Sequence, residues 1–176
     1  YNTFREFHVK IFNTGKIEIP GIQTDYHLQT VMQHVLIYIQ NVIDEPISYI
    51  GDCDTVLINS NFNCGFYINR EILFDILKTK YNIQCIFDPC SYPGIQCKFY
   101  YDKTRETQDG SRPDIELGSK NNGLVTISFM IFRTGSILIV GMCDEFILDV
   151  VYKFIKTLVQ NEFTNICQRL STQEEL

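Results

Sequence analysis

Hydrophobic residues follow two different periods along this chain, and each change of period marks the end of one secondary-structure element and the start of the next. Alternation with a period of two predicts strands, while apolar residues three and four apart predict helices. A first hairpin is predicted over 9–22, followed by a helix in which Leu28, Val31 and Val35 begin one apolar face. Further strands are predicted at 55–68, 83–87, 94–101, 124–132 and 137–141, and further helices at 69–81 and 144–160.

The helix starts carry residues that cap free backbone N–H groups. Asn69 precedes the second predicted helix, and Asp25 and Asp144 stand near the starts of the first and third. A short polar side chain at such a position accepts a hydrogen bond from the first turn, and a carboxylate also favours the positive end of the helix dipole.

A sequence repeat links the two ends of the chain. VKIFNTGKIEIPGI (9–22) aligns without a gap with FMIFRTGSILIVGM (129–142), 120 positions later. Each copy reads as a strand, a tight turn at Thr-Gly and a second strand, and a helix follows. The glycine of the turn supplies the positive φ that such hairpins need. The pattern predicts a duplicated hairpin–helix unit.

The repeat divides the chain into regions. The first repeat supplies only its last hairpin and helix, and we expect its remainder to lie upstream of Tyr1. We therefore predict the final hairpin and helix of a first repeat at 1–43, a linker at 44–54, a complete second repeat at 55–170 and a polar tail at 171–176. Within the second repeat, 102–123 is polar and rich in Gly and charge, which predicts a long flexible insertion.

Alternation also separates the two faces of each strand. In the hairpin at 7–19, Phe7, Val9, Ile11, Ile17 and Ile19 share one face. In 55–66, Val56, Ile58 and Phe62 share a face that we expect to be buried under helices. The opposite, outward face combines asparagines with large apolar residues: Leu57, Asn59, Asn61, Asn63, Phe12, Met130, Phe132, Leu138 and Val140. Either the second copy is buried on both faces, or this set forms a semi-apolar binding surface.

Composition narrows the classes of function. The net charge of −6 and the pI near 5.0 are unusual for a protein that grips phosphates. Seven cysteines without a CxxC pair indicate reduced thiols in an intracellular protein, and Cys85, Cys90 and Cys97 match no common zinc spacing. No apolar run is long enough to span a membrane. No nucleophile, metal or nucleotide motif is present, so we expect no catalytic residues, no metal, no cofactor and no enzymatic activity.

Three segments carry a resemblance to a known family. The hairpins KIFNTGKIEIPG and MIFRTGSILIVG resemble the LIF-x-SGK-x-V-x-TG hairpin of the TATA-box-binding protein repeats. FDPCSYPGIQCKF (87–99) resembles the stirrup segment YEPELFPGLIYRM of the same family. The divergent hairpins look most like the TATA-binding-protein-like factors of large DNA viruses. The resemblance implies an α+β saddle, in which two repeats form a curved antiparallel sheet with helices packed on its convex face.

The resemblance also implies a binding mode and site residues. Proteins of this family place the concave face of the sheet on an opened minor groove and insert aromatic wedges between base steps. The matching positions here comprise wedges at Phe12, Phe132 and Tyr92, groove-lining residues at Met130, Leu138, Val140, Leu57 and Asn59, and cations at Lys16, Lys98 and Arg133. Stirrup residues Asp88, Cys90 and Ser91 would contact a protein partner. Glu18, Pro20 and Ser136 depart from the family pattern and remove apolar or basic groups.

Two hypotheses follow from the sequence. The first is a general transcription initiation factor that binds double-stranded, AT-rich promoter DNA and recruits a transcription factor IIB-like protein or RNA polymerase. It would act in the nucleus or in a cytoplasmic viral factory of the host. The alternative is a protein–protein scaffold of the transcription machinery that has lost tight DNA binding, which the acidic balance and Glu18 favour.

Overall fold

The computed structural model describes residues 4–51, 53–113 and 123–168 and has an α+β architecture. The chain divides between Cys53 and Asp54 into two compact units. The first contains β1 (Lys10–Ile11), β2 (Ile17–Glu18) and α1 (Asp25–Gln40). The second contains β3 (Ile58–Asn63), α2 (Arg70–Thr79), β4 (Gln84–Ile86), β5 (Ile95–Asp102), β6 (Leu124–Ile131), β7 (Ser136–Gly141), α3 (Glu145–Asn161) and α4 (Phe163–Ile166).

The second unit is built on one five-stranded sheet. Its strand order is β3-β7-β6-β5-β4, and every neighbouring pair is antiparallel. This confirms the single antiparallel sheet predicted for the five strand segments. The first strand is shorter than predicted, because Ile58 lies opposite Gly141, the last residue of β7. Val56 and Leu57 therefore have no ladder partner there. Val56, expected to be buried, is 68% exposed.

The hydrophobic core lies on one face of this sheet. Alternate residues of the three inner strands are fully buried, and they pack against apolar residues of α2 and α3. Ile131 has no exposed surface, as its inward position predicts. At the edge, the Phe62 ring packs edge-on against Tyr152 of α3, with 5.0 Å between ring centroids. Helices α2 and α3 of this unit therefore cover one face of the sheet.

Capping residues fix where the helices start. The Asn69 side chain accepts the Ile72 N–H at 3.2 Å, and Asp144 accepts the Ile147 N–H at 2.8 Å, so both predicted caps are confirmed. The cap of α1 is Thr24, which accepts the His27 N–H at 3.2 Å, and Asp25 is instead the first helical residue. The prediction for Asp25 was wrong by one position, because the hydroxyl of Thr24 occupies the non-helical position that a cap requires.

The two hairpin turns have the same geometry. In the first, the Phe12 N–H bonds to Lys16 O and the Gly15 N–H bonds to Phe12 O. In the second, the N–H groups of Phe132 and Gly135 bond to Ser136 O and Phe132 O. Both glycines have a φ of +80°, the left-handed conformation of a type I turn followed by a G1 bulge. The Thr-Gly pairs therefore form the tight turns that the sequence predicts.

The first unit has little buried surface of its own. Its β1–β2 ladder has two residue pairs, and the buried residues of α1 are Val31 and Val35. Phe7, Val9, Ile17 and Ile19 are half-buried, in agreement with their predicted face. Ile11 shares that face by alternation but is 57% exposed, because it lies at the turn end of this short ladder.

The described part of the polar insertion folds back onto the sheet. The Tyr100 N–H bonds to Gly110 O at 3.1 Å, and the Gln108 side chain bonds to the backbone of Asp102 and Arg105. Gly110 has a φ of +73°, and a Cβ at this position would lie 2.4 Å from the Phe99 ring. Gly110 is therefore held against the core, whereas residues 103–107 are exposed. Residues 114–122 and the predicted tail at 171–176 lie outside the described part of the chain.

One buried carboxylate ties the helices together. Glu162, between α3 and α4, is 1% exposed and accepts hydrogen bonds from Lys80 at 2.6 Å, Tyr81 at 2.8 Å and Asn165 at 2.9 Å. The hydrogen bond from Lys80, followed by those from Asn165 and Tyr81, lowers the pKa of Glu162 from 4.5 to about 2. The ionised form is thus the form that the fold stabilises.

We expect this carboxylate to make the second unit sensitive to acid. A folded-state pKa below the unfolded value stabilises the fold above pH 4.5, and this stability is lost as the pH falls from about 4.5 to about 2. Glu162→Gln should lower the free energy of unfolding at pH 7 by about 2 kcal/mol, since it removes charge-assisted hydrogen bonds. It should also flatten the loss of stability between pH 4.5 and pH 2 in urea titrations. Glu106→Gln, at an exposed position, is the control, and identical profiles for the two variants would contradict the assignment.

Candidate functional site

The face of the sheet turned away from the helices is here called the open face. The ladder register sets its side chains in cross-strand rows, because directly opposite residues of an antiparallel pair point to the same side. One row, from β3 to β4, is Asn59, Val140, Ser128, Lys98 and Gln84. The next row is Asn61, Leu138, Met130, Gln96 and Ile86. Asn59, Val140, Lys98, Leu138 and Met130, all predicted from the sequence, thus meet on one surface.

The open face is apolar in the middle and polar at its sides. Leu138, Val140 and Met130 lie side by side on the two inner strands and are half-buried. Asn59 and Asn61 are exposed on one side, and Gln96 and Lys98 are exposed on the other. On the outermost strand, Ile86 adds an apolar side chain that is 65% exposed. Within the second unit, α2 and α3 pack on the opposite face of the sheet, and Met130, Leu138 and Val140 stay half-buried.

An aromatic pair stands at one end of the open face. Phe132 follows β6, and Tyr92 belongs to the loop between β4 and β5, yet their ring centroids are 5.9 Å apart at an angle of 58°. Gly94 lies beside both rings, and a Cβ at this position would come within 3.0 Å of Phe132 and 3.1 Å of Tyr92. Because Gly94 has no side chain, the two rings can occupy this space. The structure therefore brings two of the predicted wedge residues together.

A cation on α2 fixes the loop that carries Tyr92. The Arg70 guanidinium lies 5.1 Å from the centroid of the Phe87 ring, and it donates a hydrogen bond to the Pro93 carbonyl. A planar guanidinium can stack on a ring and donate in its own plane at the same time. Sequence reasoning missed Arg70, because nothing in its position after the Asn69 cap indicates a contact with a loop more than twenty residues away.

Within this loop, Asp88 holds the turn. Its carboxylate accepts the Cys90 N–H at 3.1 Å and the Ser91 hydroxyl at 2.5 Å, and the hydrogen bond from Ser91 lowers the pKa of Asp88. The N–H groups of Ser91 and Tyr92 bond to the Asp88 carbonyl. Asp88 and Ser91 are predicted to contact a partner. In the structure their side chains form hydrogen bonds within the turn. Cys90 is exposed.

Charge is distributed unevenly over the second unit. Lys98 and Arg133 are exposed on or beside the open face. The five strands of this sheet contain a single carboxylate, Asp102, which lies at the end of β5, accepts from Thr104 at 2.6 Å and pairs with Arg105 at 3.5 Å. Helices α2 and α3 are charge-balanced, because their carboxylates are matched in number by the cations Arg70, Lys78, Lys153 and Lys156. The net charge of −6 thus does not describe the open face.

The remaining predicted residues lie elsewhere. Phe12 and Lys16 are exposed at the hairpin turn of the first unit. Leu57 is also exposed, but it precedes β3 and so lies outside the ladder that aligns the open face. Glu18, which was expected to oppose DNA binding, forms a cross-strand ion pair with Lys10 at 2.9 Å. Its charge is therefore partly neutralised.

Amide residues of the open face were only partly identified from the sequence. Gln84 and Gln96 join Asn59 and Asn61 there, and Gln84 accepts the Tyr100 hydroxyl at 2.5 Å. Period-two alternation in 94–101 could have identified Gln96 and Lys98 as neighbours on one face. The Asn63 side chain stabilises the adjacent turns. Its amide donates to Thr134 O at 3.3 Å and to Ser136 Oγ at 3.2 Å, and its side-chain oxygen accepts the Gly65 N–H at 2.7 Å.

The cysteines do not assemble a metal centre in the part of the chain that the structure describes, where no group of three His, Cys, Asp or Glu side chains could hold an ion. Cys85 and Cys97 lie directly opposite each other on β4 and β5. The hydrogen bond from Cys97 lowers the pKa of the Cys85 thiol, whereas burial raises the pKa of Cys97. Among the described helices, none is long and apolar enough to cross a membrane.

We expect Arg70 to be the residue that keeps the Tyr92 loop in place. Arg70→Ala should increase hydrogen exchange of the Ser91 and Tyr92 amides about tenfold, because the loop loses both the stacked cation and the Pro93 hydrogen bond. Arg70→Lys should restore little of the protection from exchange, since an ammonium cannot stack on the ring and donate in one plane. Lys78→Ala is the matched control on the same helix, because Lys78 lies 5.0 Å from the Phe74 ring. Equal exchange rates in all variants would show that contacts other than those of Arg70 hold the loop.

No protein-family model matches the sequence, and no curated protein shows significant similarity to it. The family resemblance of the two hairpins and the stirrup segment therefore has no support from whole-chain similarity. What the open face binds has to be inferred from its own shape, polarity and charge.

Proposed function

We propose that this protein is a transcription initiation factor that binds double-stranded, AT-rich promoter DNA through the open face of its sheet. The observation that carries the proposal is the composition of that face. An apolar strip of Met130, Leu138 and Val140 lies between two sets of amides and ends at the Phe132–Tyr92 pair. Such an arrangement suits an opened minor groove, with the aromatic rings as wedges between base steps.

The polarity of the face matches the chemistry of the minor groove. An A·T pair presents only acceptors there, adenine N3 and thymine O2, while a G·C pair adds a donor. Amide N–H groups of Asn59, Asn61 and Gln96 can donate to those acceptors. The half-buried apolar residues between them can contact sugars and base edges that lose their water. The strands also place no carboxylate near the acceptors except Asp102, which is already engaged with Thr104 and Arg105.

The two hairpin–helix segments support the saddle architecture of the TATA-box-binding protein family. Their turn hydrogen bonds match at positions 12 and 132, and their cap hydrogen bonds match at positions 24 and 144. The same offset of 120 relates all of them, as a duplication would leave it. In a saddle of two repeats, Phe12 and Lys16 would be the counterparts of Phe132 and Ser136.

The loop between β4 and β5 is the proposed contact site for a protein partner. Its turn is rigidified by Asp88 and Arg70, and it exposes Cys90. We propose that this loop contacts a transcription factor IIB-like protein or RNA polymerase, and that the factor acts in the nucleus or in a cytoplasmic viral factory. The proposed activity is binding, with no catalytic step and no cofactor.

The small number of cations favours a second candidate, a scaffold with weak DNA binding of its own. Lys98 and Arg133 are the exposed cations at the open face, and Lys16 adds one in the first unit. A partner that holds the complex on DNA would then supply the missing affinity. The Lys10–Glu18 ion pair removes one argument for this candidate, because Glu18 no longer presents an uncompensated charge.

Adjacent residues of opposite facing give the main test. Phe132→Ala should weaken binding to a TATA-containing duplex by tenfold or more and reduce DNA bending. It should lower the free energy of unfolding less than Ile131→Ala does, because the Phe132 ring is only half-buried. Ile131→Ala should lower the free energy of unfolding by about 2–5 kcal/mol, because Ile131 is fully buried, and should leave the affinity of the folded fraction unchanged. Gel-shift titrations and urea denaturation measure the two effects.

If neither substitution alters DNA binding by the protein, the scaffold becomes the better description. If Phe132→Ala unfolds the protein while Ile131→Ala does not, the assignment of the open face is inverted. A scrambled duplex of the same length separates minor-groove recognition from general attraction to phosphates.

Salt dependence should be shallow. With three candidate phosphate contacts, the slope of log affinity against log salt should be about −3, at roughly 0.9 per contact. Lys98→Ala should reduce the slope by about one contact. Lys156→Ala should not change it, because Lys156 lies on α3, 5.9 Å from the Tyr152 ring. A slope near −8 for the unmodified protein would mean that cations outside the open face dominate binding.

A further inference from the structure

Two cysteines face each other across the β4–β5 strand pair, and the function proposed above uses neither of them. Cys85 is the middle residue of β4 and lies directly opposite Cys97 of β5. Both thiols are free. Cys97 belongs to the buried core, whereas Cys85 is half-buried at the margin of that core. A small solute can therefore reach the first thiol, while the second is shielded from solvent.

The backbone pattern of β5 shows how close the two cysteines are. The Tyr100 N–H bonds to Gly110 O, and Gly110 lies beside Ile83, just before β4. Backbone groups of an antiparallel strand alternate between its two neighbours, so the even-numbered residues of β5 face β4 and the odd-numbered ones face β6. Cys97 and Cys85 are therefore a pair without mutual backbone hydrogen bonds. In such pairs the Cα atoms are about 4.5 Å apart, within the range of about 4.4–6.8 Å that a disulfide bridges.

The surroundings of Cys85 favour its reactive thiolate form. A hydrogen bond from Cys97 lowers the pKa of the Cys85 thiol against the effect of partial burial, and the positive charge of Lys78 on α2 lowers it further. Burial raises the pKa of Cys97 well above its usual value, so this thiol stays protonated. An accessible thiolate next to a second, protonated thiol is the arrangement found in redox-sensing cysteine pairs.

We propose that Cys85 and Cys97 are an oxidant-responsive disulfide site, in which Cys85 reacts first and Cys97 resolves the product. The oxidant is a small peroxide. The Cys85 thiolate attacks one peroxide oxygen, an S–O bond forms, and the O–O bond breaks. The departing hydroxide takes up the proton that Cys85 had released and becomes water.

The second step closes the disulfide. The Cys97 sulfur attacks the Cys85 sulfur, the S–O bond breaks, and the oxygen leaves as a second water with the proton of the Cys97 thiol. The two thiols together lose two electrons, and one hydrogen peroxide is reduced to two water molecules. An added dithiol reverses the reaction by thiol–disulfide exchange, in which the dithiol is oxidised.

A disulfide at this position would close the base of the loop between β4 and β5. That loop carries Asp88, Cys90 and Tyr92, and only three ladder pairs connect β4 to β5. The bond would cross-link the middle pair, so β4 could no longer separate from β5, and oxidation would restrict the motion of the loop. The inference goes beyond the proposed DNA binding and does not depend on it, since it follows from the strand register and the two thiols.

Peptide mapping of the folded protein after exposure to hydrogen peroxide tests the site. We expect a disulfide between the peptides that contain Cys85 and Cys97, formed without denaturant and reversed by dithiothreitol. Hydrogen exchange of the Gln84 and Ile86 amides, which the ladder directs toward β5, should slow by about tenfold or more in the oxidised protein, because local opening of this edge is restricted.

Three substitutions separate the roles of the thiols. Cys85→Ser should abolish the disulfide and leave Cys97 unmodified, because Cys97 is buried. Cys97→Ala should let a sulfenic acid accumulate at Cys85, where dimedone traps it. Cys90→Ser is the matched control and should retain the disulfide, since Cys90 is exposed in the loop and lies outside the pair.

Two results would overturn the proposal. One is oxidation of the exposed Cys53 and Cys90 while Cys85 and Cys97 stay reduced. The other is a disulfide that joins Cys85 to Cys90, or a Cys85–Cys97 bond that forms only in urea. Circular dichroism checks the fold of each variant, and the mapping of the unmodified protein decides between these results even where a variant does not fold.

Discussion

The packing of two helices on one side of an antiparallel sheet determines the rest of the second unit. Successive side chains of a strand point to opposite sides, so the burial of Phe129, Ile131, Ile137 and Ile139 against α2 and α3 leaves no choice for their neighbours. Met130, Leu138 and Val140 must then project from the open face. A surface rich in large apolar residues is thus a direct consequence of where the core lies.

The open face differs from an ordinary solvent-exposed sheet face in its charge. Its strands carry amides, apolar side chains and Lys98, and their single carboxylate, Asp102, lies at the end of β5. An acidic protein can therefore present a sheet face that is neutral to weakly positive, because the carboxylates behind its net charge of −6 lie outside this face. The small number of cations on the face accounts for the shallow salt dependence that we expect.

Contacts between residues distant in sequence hold the segments whose position the alternation of side chains along a strand does not determine. Arg70 positions the loop that carries Tyr92, Glu162 joins α4 to the end of α2, and Gly110 lets the insertion lie on Phe99. Each depends on a partner many residues distant.

The sequence by itself determined the α+β class, the order of the five strands along the chain, the two Thr-Gly turns and the caps at Asn69 and Asp144. These features follow from local periodicity and from backbone conformations that only a few residue types adopt. Tertiary structure alone decided that Val56 and Leu57 fall outside β3, since a strand ends where its partner β7 ends. It also decided that Tyr92 meets Phe132 and that Gly110 packs on the Phe99 ring, because these contacts depend on space that a side chain at Gly94 or Gly110 would fill.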